Sequence, residues 1–478
     1  MISSHRKEEP SVLSRLAATR PWQTNAALGL IGVAMVCFTR QLISENDRFT
    51  IGFSGVSSSH LVLYLAAVLI FLLKPRNVNR WTFWIIVTFA VACRLVALFP
   101  EPFLSSDVYR YAWDGVVQHA HINPFRYVPG DAALQALRAP NQDLFDNMNR
   151  RDYAHTIYPP VAQMVFYLIT FLSPTVTFMK MAMVLFEGLT MWSLVALLKH
   201  LGLPREWTLV YAWCPLVIWE FGGSGHLDSM VMAFVMLACL FRYRRQPVLT
   251  GLFLGLAIFT KFYPMVLIPA LYRRGDWKMP AVIAAVGAAV YVPYLSAGRM
   301  VLGFLGGYVQ EEGMANGERY FLLDWAQHLP GLHALPKAAF LVLVVCVFTA
   351  LSVWAWRTSC RKDSPRATFL KPAFAFALAL MLLFSPHYPW YIGWLIPFLV
   401  LVPSITGLSY VCALFYLCTT ALAVGSGPPQ YHLNKLLYGT VLLGVTADVL
   451  VRVWPADKRW LRENTAEAQL STAESGDV

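Results

Sequence analysis

Apolar side chains run along this chain in long unbroken stretches, not at the i, i+3, i+4 spacing of a helix with one wet face. Runs long enough to cross a bilayer lie near 24–43, 60–74, 81–99, 176–198, 206–221, 228–242, 279–296, 337–356, 369–385, 389–403, 405–424 and 435–453. The pattern predicts an all-α polytopic membrane protein with about 12 spanning helices. Two stretches are ambiguous: 158–172 is short and opens on Tyr158-Pro159-Pro160, and 247–272 is interrupted by Lys261-Phe262-Tyr263-Pro264. Non-helical backbone at membrane depth is tolerated only where protein or a water-filled cavity surrounds it, so a buried cavity is expected near Lys261.

Loop charge decides the threading. Lys and Arg cluster in the N-tail and in Lys74–Arg80, Lys199–Arg205, Arg242–Arg245, Arg273–Lys278, Trp356–Arg366 and Arg452–Arg462. The positive-inside bias places all of these in the cytoplasm if 158–172 and 247–272 are short re-entrant or interfacial helices and not spans. The expected layout is a basic cytoplasmic N-tail over 1–24, a transmembrane catalytic domain over 25–454, and a cytoplasmic tail over 455–478 with the composition of disorder. The first apolar run lacks a small-residue cleavage site behind it and reads as a retained signal anchor. Polar, aromatic-rich segments then fall outside: the first large outer loop 100–157, Gly222–Asp228, 297–335, Ser385–Tyr391 and Gly425–Lys435. Chemistry is expected on the extracytoplasmic face of a cell-membrane protein whose termini are both cytoplasmic.

Composition agrees. Hydrophobic residues make up 57% and charged ones 14%, against about 25% charged in an ordinary globular chain. Mean hydropathy is +0.52. A soluble protein, a disordered chain, a collagen-like repeat and a coiled coil are all excluded. The surplus of 38 Lys and Arg over 27 Asp and Glu sits in loops that set orientation, so the expected partner is the lipid bilayer and not nucleic acid. Seven of the eight cysteines lie inside apolar runs, only Cys360 sits in a loop, and there is no disulfide framework or CxxC metal spacing. No internal repeat is visible.

The chemistry-bearing stretch is Ser105-Ser106-Asp107-Val108-Tyr109-Arg110-Tyr111-Ala112-Trp113-Asp114-Gly115-Val116-Val117-Gln118, then Asn123-Pro124-Phe125-Arg126-Tyr127-Val128-Pro129. Ser106 and Asp107 are good N-cap residues, which predicts a helix from there to about His121. Residues seven apart on a helix differ by about 20° in direction, so Asp107 and Asp114 share a face with Arg110 between them. Tyr109, Tyr111 and Trp113 suit a helix lying at the membrane interface. The alternative is that Asp107 only caps and Arg110 only bridges Asp114 at the surface.

SSDVYRYAWDGVVQHAHINPFRYVP, followed by IYPPVAQ, GSGHLDSMVMAF, TKFYPMVLIPAL and SPHYPWYIGWLIPFL, resembles the bacterial branch of the GT-C glycosyltransferases, among them the polyprenyl-phosphate-mannose-dependent mannosyltransferases of the DUF2029 type. The motifs run from about 105 to 398 in this order. The resemblance implies a GT-C-like bundle and an inverting glycosyltransferase. Its sugar, mannose, would come from a polyprenyl-phosphate carrier and go to a hydroxyl on a glycan or glycolipid acceptor. It implies an acidic catalytic base in the first large outer loop, which maps onto Asp107, with Asp114 serving the acceptor or holding Arg110. A monophosphate donor fits a metal-independent member, so no cofactor and no metal are expected.

The reaction also states its own needs. A base must reach the acceptor hydroxyl, which is worth about 10²–10⁴-fold, and fixed positive charge must meet the departing phosphate. The cations available are Arg110, Arg126, Lys261 and His387. Lys261 in an apolar stretch either faces a cavity or a partner such as Glu187 or Glu220, or snorkels to an interface. His387 and Tyr388 lie in the Pro-broken aromatic turn Ser385-Pro386-His387-Tyr388-Pro389-Trp390-Tyr391, where the His is either a substrate contact or an interfacial donor. His226 and Asp228 follow a Gly-Gly-Ser-Gly turn; they suit hydrogen bonding to substrate or helix capping, and two ligands without a third are a poor metal site. Tyr158 with its two prolines either shapes the acceptor groove or starts a helix. Lys180 and Glu187, seven apart, are expected to pair, and Arg94 and Arg40 to snorkel. A transporter or flippase of lipid-linked sugar is the competing function; it should show repeat symmetry and midplane broken helices in matching halves. A non-catalytic binder of lipid-linked sugar is a third.

Overall fold

The computed structural model describes residues 21–44, 51–73, 78–102, 104–315, 317, 320–385, 388–419 and 431–453. The basic tail up to residue 20, the C-terminal tail 455–478, His387, residues 74–77 of the first basic loop and 425–430 of the last polar one lie outside them.

The described residues contain helices and no strand. In chain order the main helices are α1 (Pro21–Ser44), α2 (Ile51–Leu73), α3 (Arg80–Leu98), α4 (Asp107–His119), α5 (Gln142–Asn147), α6 (Pro160–Leu172), α7 (Val176–His200), α8 (Pro215–Gly223), α9 (Asp228–Tyr243) and α10 (Pro247–Thr260). They continue with α11 (Lys278–Tyr291), α12 (Leu305–Glu311), α13 (Phe321–Gln327), α14 (Lys337–Thr358), α15 (Leu370–Phe384), α16 (Pro389–Leu401), α17 (Ile405–Thr419) and α18 (Tyr431–Val453). Helix α1 begins at Pro21, inside the expected N-tail.

Six helical stretches among the described residues are long and apolar enough to cross a membrane: α1, most of α2 (Phe53–Leu73), α3, α7, Lys278–Glu311 and α14. A seventh arises if α8 and α9, bent by 116° at their junction, count as one. Counted over the described residues, the spans do not reach the expected twelve, and backbone breakers divide one of the predicted runs outright. The run near 206–221 becomes a 3₁₀ turn, short helices and a π-helical turn over Ile218–Gly223. Helix α15 stops at Ser385, which sits in the left-handed region with φ 45°, and α16 starts afresh on Pro389. The two ambiguous stretches behave as short elements. Residues 160–172 form the 13-residue α6, and α10 ends at Thr260 where Lys261 turns extended (φ −159°, ψ 128°) ahead of a 3₁₀ turn at Tyr263–Leu267.

The loops sort to two ends of the bundle. At one end Arg242 donates to the carbonyls of Leu271 and Ser359, Arg245 to Ser364, Arg273 to Lys362 and Tyr243 to His200, so the basic loops gather there. At the other, a helix length away along α7 and α9, segments 100–157, 292–312 and 388–391 meet.

Three predicted placements change. Arg94 does not snorkel: it is buried, and its guanidinium binds Glu187 Oε1 at 2.8 Å and the Ala212 carbonyl. Glu187 is therefore taken, and Lys180 instead donates to the carbonyls of Ala97 (3.0 Å) and Pro100 (2.6 Å) at the C-terminal end of α3, where a cation suits the unpaired carbonyls. Arg40 is exposed on α1. Helix α4 does not expose the aromatic stripe expected of it. Tyr109, Tyr111 and Trp113 are all buried in the core, so the aromatics that read as a membrane-surface stripe are packing residues.

Gly115 lets α4 sit against α6. A Cβ there would lie 2.3 Å from Thr170 Oγ1 and 2.8 Å from the Phe166 carbonyl oxygen. Gly115→Ala gains about 1 kcal/mol of helix propensity but overpacks against backbone, at a cost of about 1–3 kcal/mol. The expected result is a lower unfolding temperature in detergent, while Gly188→Ala on α7, with no atom within 4 Å of the added carbon, is neutral or stabilising. Equal behaviour of the two would refute the close contact.

Candidate active site

Asp107 is the first residue of α4; its backbone N–H donates to Ser105 Oγ (3.3 Å), and Ser106 at the cap position makes no side-chain cap. Its half-buried carboxylate accepts one hydrogen bond through Oδ1, from Asn149 Nδ2 at 2.8 Å. Asn149 follows α5, and the next residue, Arg150, holds a left-handed backbone (φ 50°), uncommon for a side chain of its size.

The predicted stripe divides. Arg110 turns away from Asp107 and binds Asp114 Oδ1 through Nε at 2.7 Å, while Nη1 donates to the Ala154 carbonyl and Nη2 is buried without a partner. Asp114 also accepts from Gln163 Nε2 (2.9 Å), which in turn reaches Thr156 Oγ1. Both Arg110 and Asp114 are buried. Their pair is the one the bland reading expected, but it is a core tie between α4 and α6 and not a surface bridge. Asp107 alone of the three faces accessible space.

Tyr158 lies edge-to-face on Tyr111 at 4.9 Å, both rings buried. Burial pushes the Tyr111 hydroxyl well above its usual range, and the charges of Tyr158, Asp107 and Asp228 add to the shift. Asp228 belongs to the bend between α8 and α9, where Gly225 (φ 70°) leaves no room for a Cβ beside Lys180 Cγ at 2.8 Å and Val108 Cγ2 at 3.1 Å. The bend is wedged between α7 and α4, which delivers His226 and Asp228 beneath the start of α4.

Fully buried Asp228 accepts Lys261 Nζ on both oxygens, at 2.9 and 3.1 Å, and Trp394 Nε1 at 2.6 Å. Lys261 thus pairs with neither Glu187 nor Glu220. Its ammonium lies 4.5 Å from the Tyr391 ring centroid and 5.6 Å from that of Trp394, a geometry that favours the cation. His226 stacks on Trp390 at 4.0 Å, Trp390 stacks on Tyr388 at 4.5 Å, and His226 Nε2 lies 3.3 Å from Glu220 Oε2. The Tyr388 hydroxyl donates to Glu312 Oε1 at 2.9 Å. Arg126 is apart: it is exposed and lies over Tyr127 at 5.3 Å. Among the described residues no group of three or more His, Cys, Asp or Glu could hold a metal ion.

The structure adds residues that spacing did not single out. Asn149 and Arg150 sit in a polar stretch without periodicity; Trp390, Tyr391 and Trp394 were visible only as part of an aromatic motif. Arg150 pairs with Glu311 of α12, Nε to Oε2 at 2.8 Å. Partial burial works against its charge, but Glu311, Tyr388 and Asp107 hold its pKa above the usual value.

A helical bundle with a half-open carboxylate, a buried Lys–Asp pair and an aromatic cluster gathered at one end defines a polytopic membrane protein with its polar residues concentrated there. Residues 23–273 match the family model described as alpha-(1→6)-mannopyranosyltransferase, N-terminal domain, and the chain belongs to this family, MptA_B. It is therefore a glycosyltransferase of the mannosyltransferase kind, with sugar donor and acceptor substrates and a membrane setting. The matched segment includes Asp107, Arg110, Asp114, Arg126, Tyr158, His226, Asp228 and Lys261, and ends before Tyr388 and Glu311. No curated protein and no solved structure matches the chain.

Proposed function

We propose that this GT-C-type enzyme moves mannose from a polyprenyl-phosphate carrier to a hydroxyl of a glycan or glycolipid acceptor on the extracytoplasmic face, inverting the anomeric centre, with Asp107 as general base. The observation that carries the reading is the Asp107 carboxylate: half-exposed at a helix start, oriented through Oδ1 by Asn149, with Oδ2 turned to no partner among the described residues. The acceptor hydroxyl gives its proton to Oδ2 as its oxygen attacks C1, and the C1–O bond to phosphate breaks on the opposite face with its electron pair leaving on the phosphate.

The test is transfer itself. Membranes carrying the protein, incubated with labelled polyprenyl-phosphate mannose and glycan or glycolipid acceptors, should label the acceptor in a linkage of opposite anomeric configuration to the donor. A retained configuration would overturn inversion. Labelling only from a nucleotide sugar would overturn the carrier, and movement of lipid-linked sugar between leaflets without transfer would favour the flippase.

A further inference from the structure

The reading above needs a cation for the leaving phosphate, and the cations expected from the sequence are mostly committed elsewhere. Arg110 is buried on Asp114. Arg126 is exposed and apart. Lys261 holds Asp228, which is fully buried, so pulling the ammonium away would strand a buried carboxylate.

Arg150 is differently placed. It adjoins the residue that orients Asp107, its guanidinium carbon lies 5.9 Å from the centroid of the Tyr308 ring, and the Tyr308 hydroxyl meets that of Tyr391 at 2.9 Å, the ring beneath Lys261. Its counter-ion is Glu311, and the two side chains are 28% and 30% exposed. An ion pair so open to water contributes little to stability and exchanges at low cost, whereas a phosphate monoester or diester offers an arginine fork a stronger, bidentate partner. The left-handed backbone at Arg150 is the kind of local strain that persists where a side chain must be aimed.

Resting on the donor reading, we propose that Arg150 is the phosphate-binding cation of the site and that Glu311 is an internal anion occupying it until the phosphate of the lipid donor takes its place. Glu311 then competes with substrate and does not build the fold.

The two roles predict opposite signs. Farnesyl monophosphate, a short isoprenyl phosphate without sugar, serves as the probe, and its affinity for purified detergent-solubilised protein is read by calorimetry with farnesol as the control for the chain. Glu311→Gln should bind the probe about threefold to tenfold more tightly, and Arg150→Gln about tenfold or more weakly, the size expected for one charge-assisted contact. Arg150→Gln with Glu311→Gln should match Arg150→Gln alone, because Glu311 competes with the probe through its hold on Arg150. Unchanged or weaker binding by Glu311→Gln overturns the exchange and leaves the donor reading in place, provided the wild type binds farnesyl phosphate more tightly than farnesol. If the wild type does not discriminate the two, the donor reading falls and the exchange with it.

Discussion

Asp107→Asn should lower mannosyl transfer by about 10²–10⁴-fold, the usual worth of a positioned base, while leaving the unfolding temperature where it is. The amide keeps an oxygen where Asn149 Nδ2 now donates at 2.8 Å, and the site is half-exposed, so no buried charge or cavity is created and the stability change stays within about 0.5 kcal/mol. What is lost is the group able to accept the acceptor's proton. Asp114→Asn should behave in the opposite way. It leaves Arg110, buried with Nη2 already unpartnered, without its counter-ion, and breaking such a buried pair costs about 3–5 kcal/mol. Transfer assays on membranes, paired with thermal unfolding of the purified variants, separate the two acids. Near-normal transfer by Asp107→Asn, with a well-folded Asp114→Asn that has lost it, would move the base to Asp114.

Why one acid reads as base and the other as brace could not be settled from spacing alone. Seven-residue spacing correctly put Asp107, Arg110 and Asp114 on one helix, and the predicted start at Ser106–Asp107 falls on the observed first turn. But an arginine three residues from one acid and four from the other has two local choices, and the decision comes from Gln163 and the Ala154 carbonyl, contributed by segments 40 or more residues away. The same limit explains Glu187. Its local partner by spacing was Lys180; its actual partner, Arg94, lies 93 residues back on α3. Broken backbone was the better-read feature. A lysine beside Phe-Tyr-Pro in an apolar run, and a Gly-Gly-Ser-Gly turn between two others, each mark a place where the helix ladder stops, and the breaks at Lys261 and at Gly223–Asp228 are both present. The price of counting apolar runs is also plain: Pro215 and the π-helical turn before Ser224 divide a stretch whose hydropathy alone reads as a continuous span. Arg150 and Asn149 left no pattern at all, because their importance lies in what α12 and α4 bring to them.

Those two breaks meet in one contact, and it carries the second large effect. Lys261 sits where α10 ends, Asp228 where α9 begins, and Trp394 of α16 donates to the same carboxylate, so one ion pair fastens three chain breaks. Read from the sequence, Lys261→Ala should mainly raise the donor KM. The structure changes the expectation, because Asp228 is wholly buried and would keep only the indole N–H. Stranding it costs about 3–5 kcal/mol, near the lower end of a domain's whole stability of about 5–15 kcal/mol, so Lys261→Ala should yield little folded protein and a large fall in unfolding temperature. Removing both charges avoids the penalty: Lys261→Met with Asp228→Asn, which leaves an amide oxygen for Trp394 and an unbranched apolar chain against Tyr391, should recover most of the lost stability. Wild type, Lys261→Met, Asp228→Asn and their double variant, compared by thermal unfolding in detergent, give the coupling directly. A double variant as unstable as Lys261→Ala would mean that the lysine acts through its contacts with Tyr391 and Trp394 and not through Asp228. Recovery of stability without recovery of transfer would show that the same charges that fasten the bend also serve the cleft.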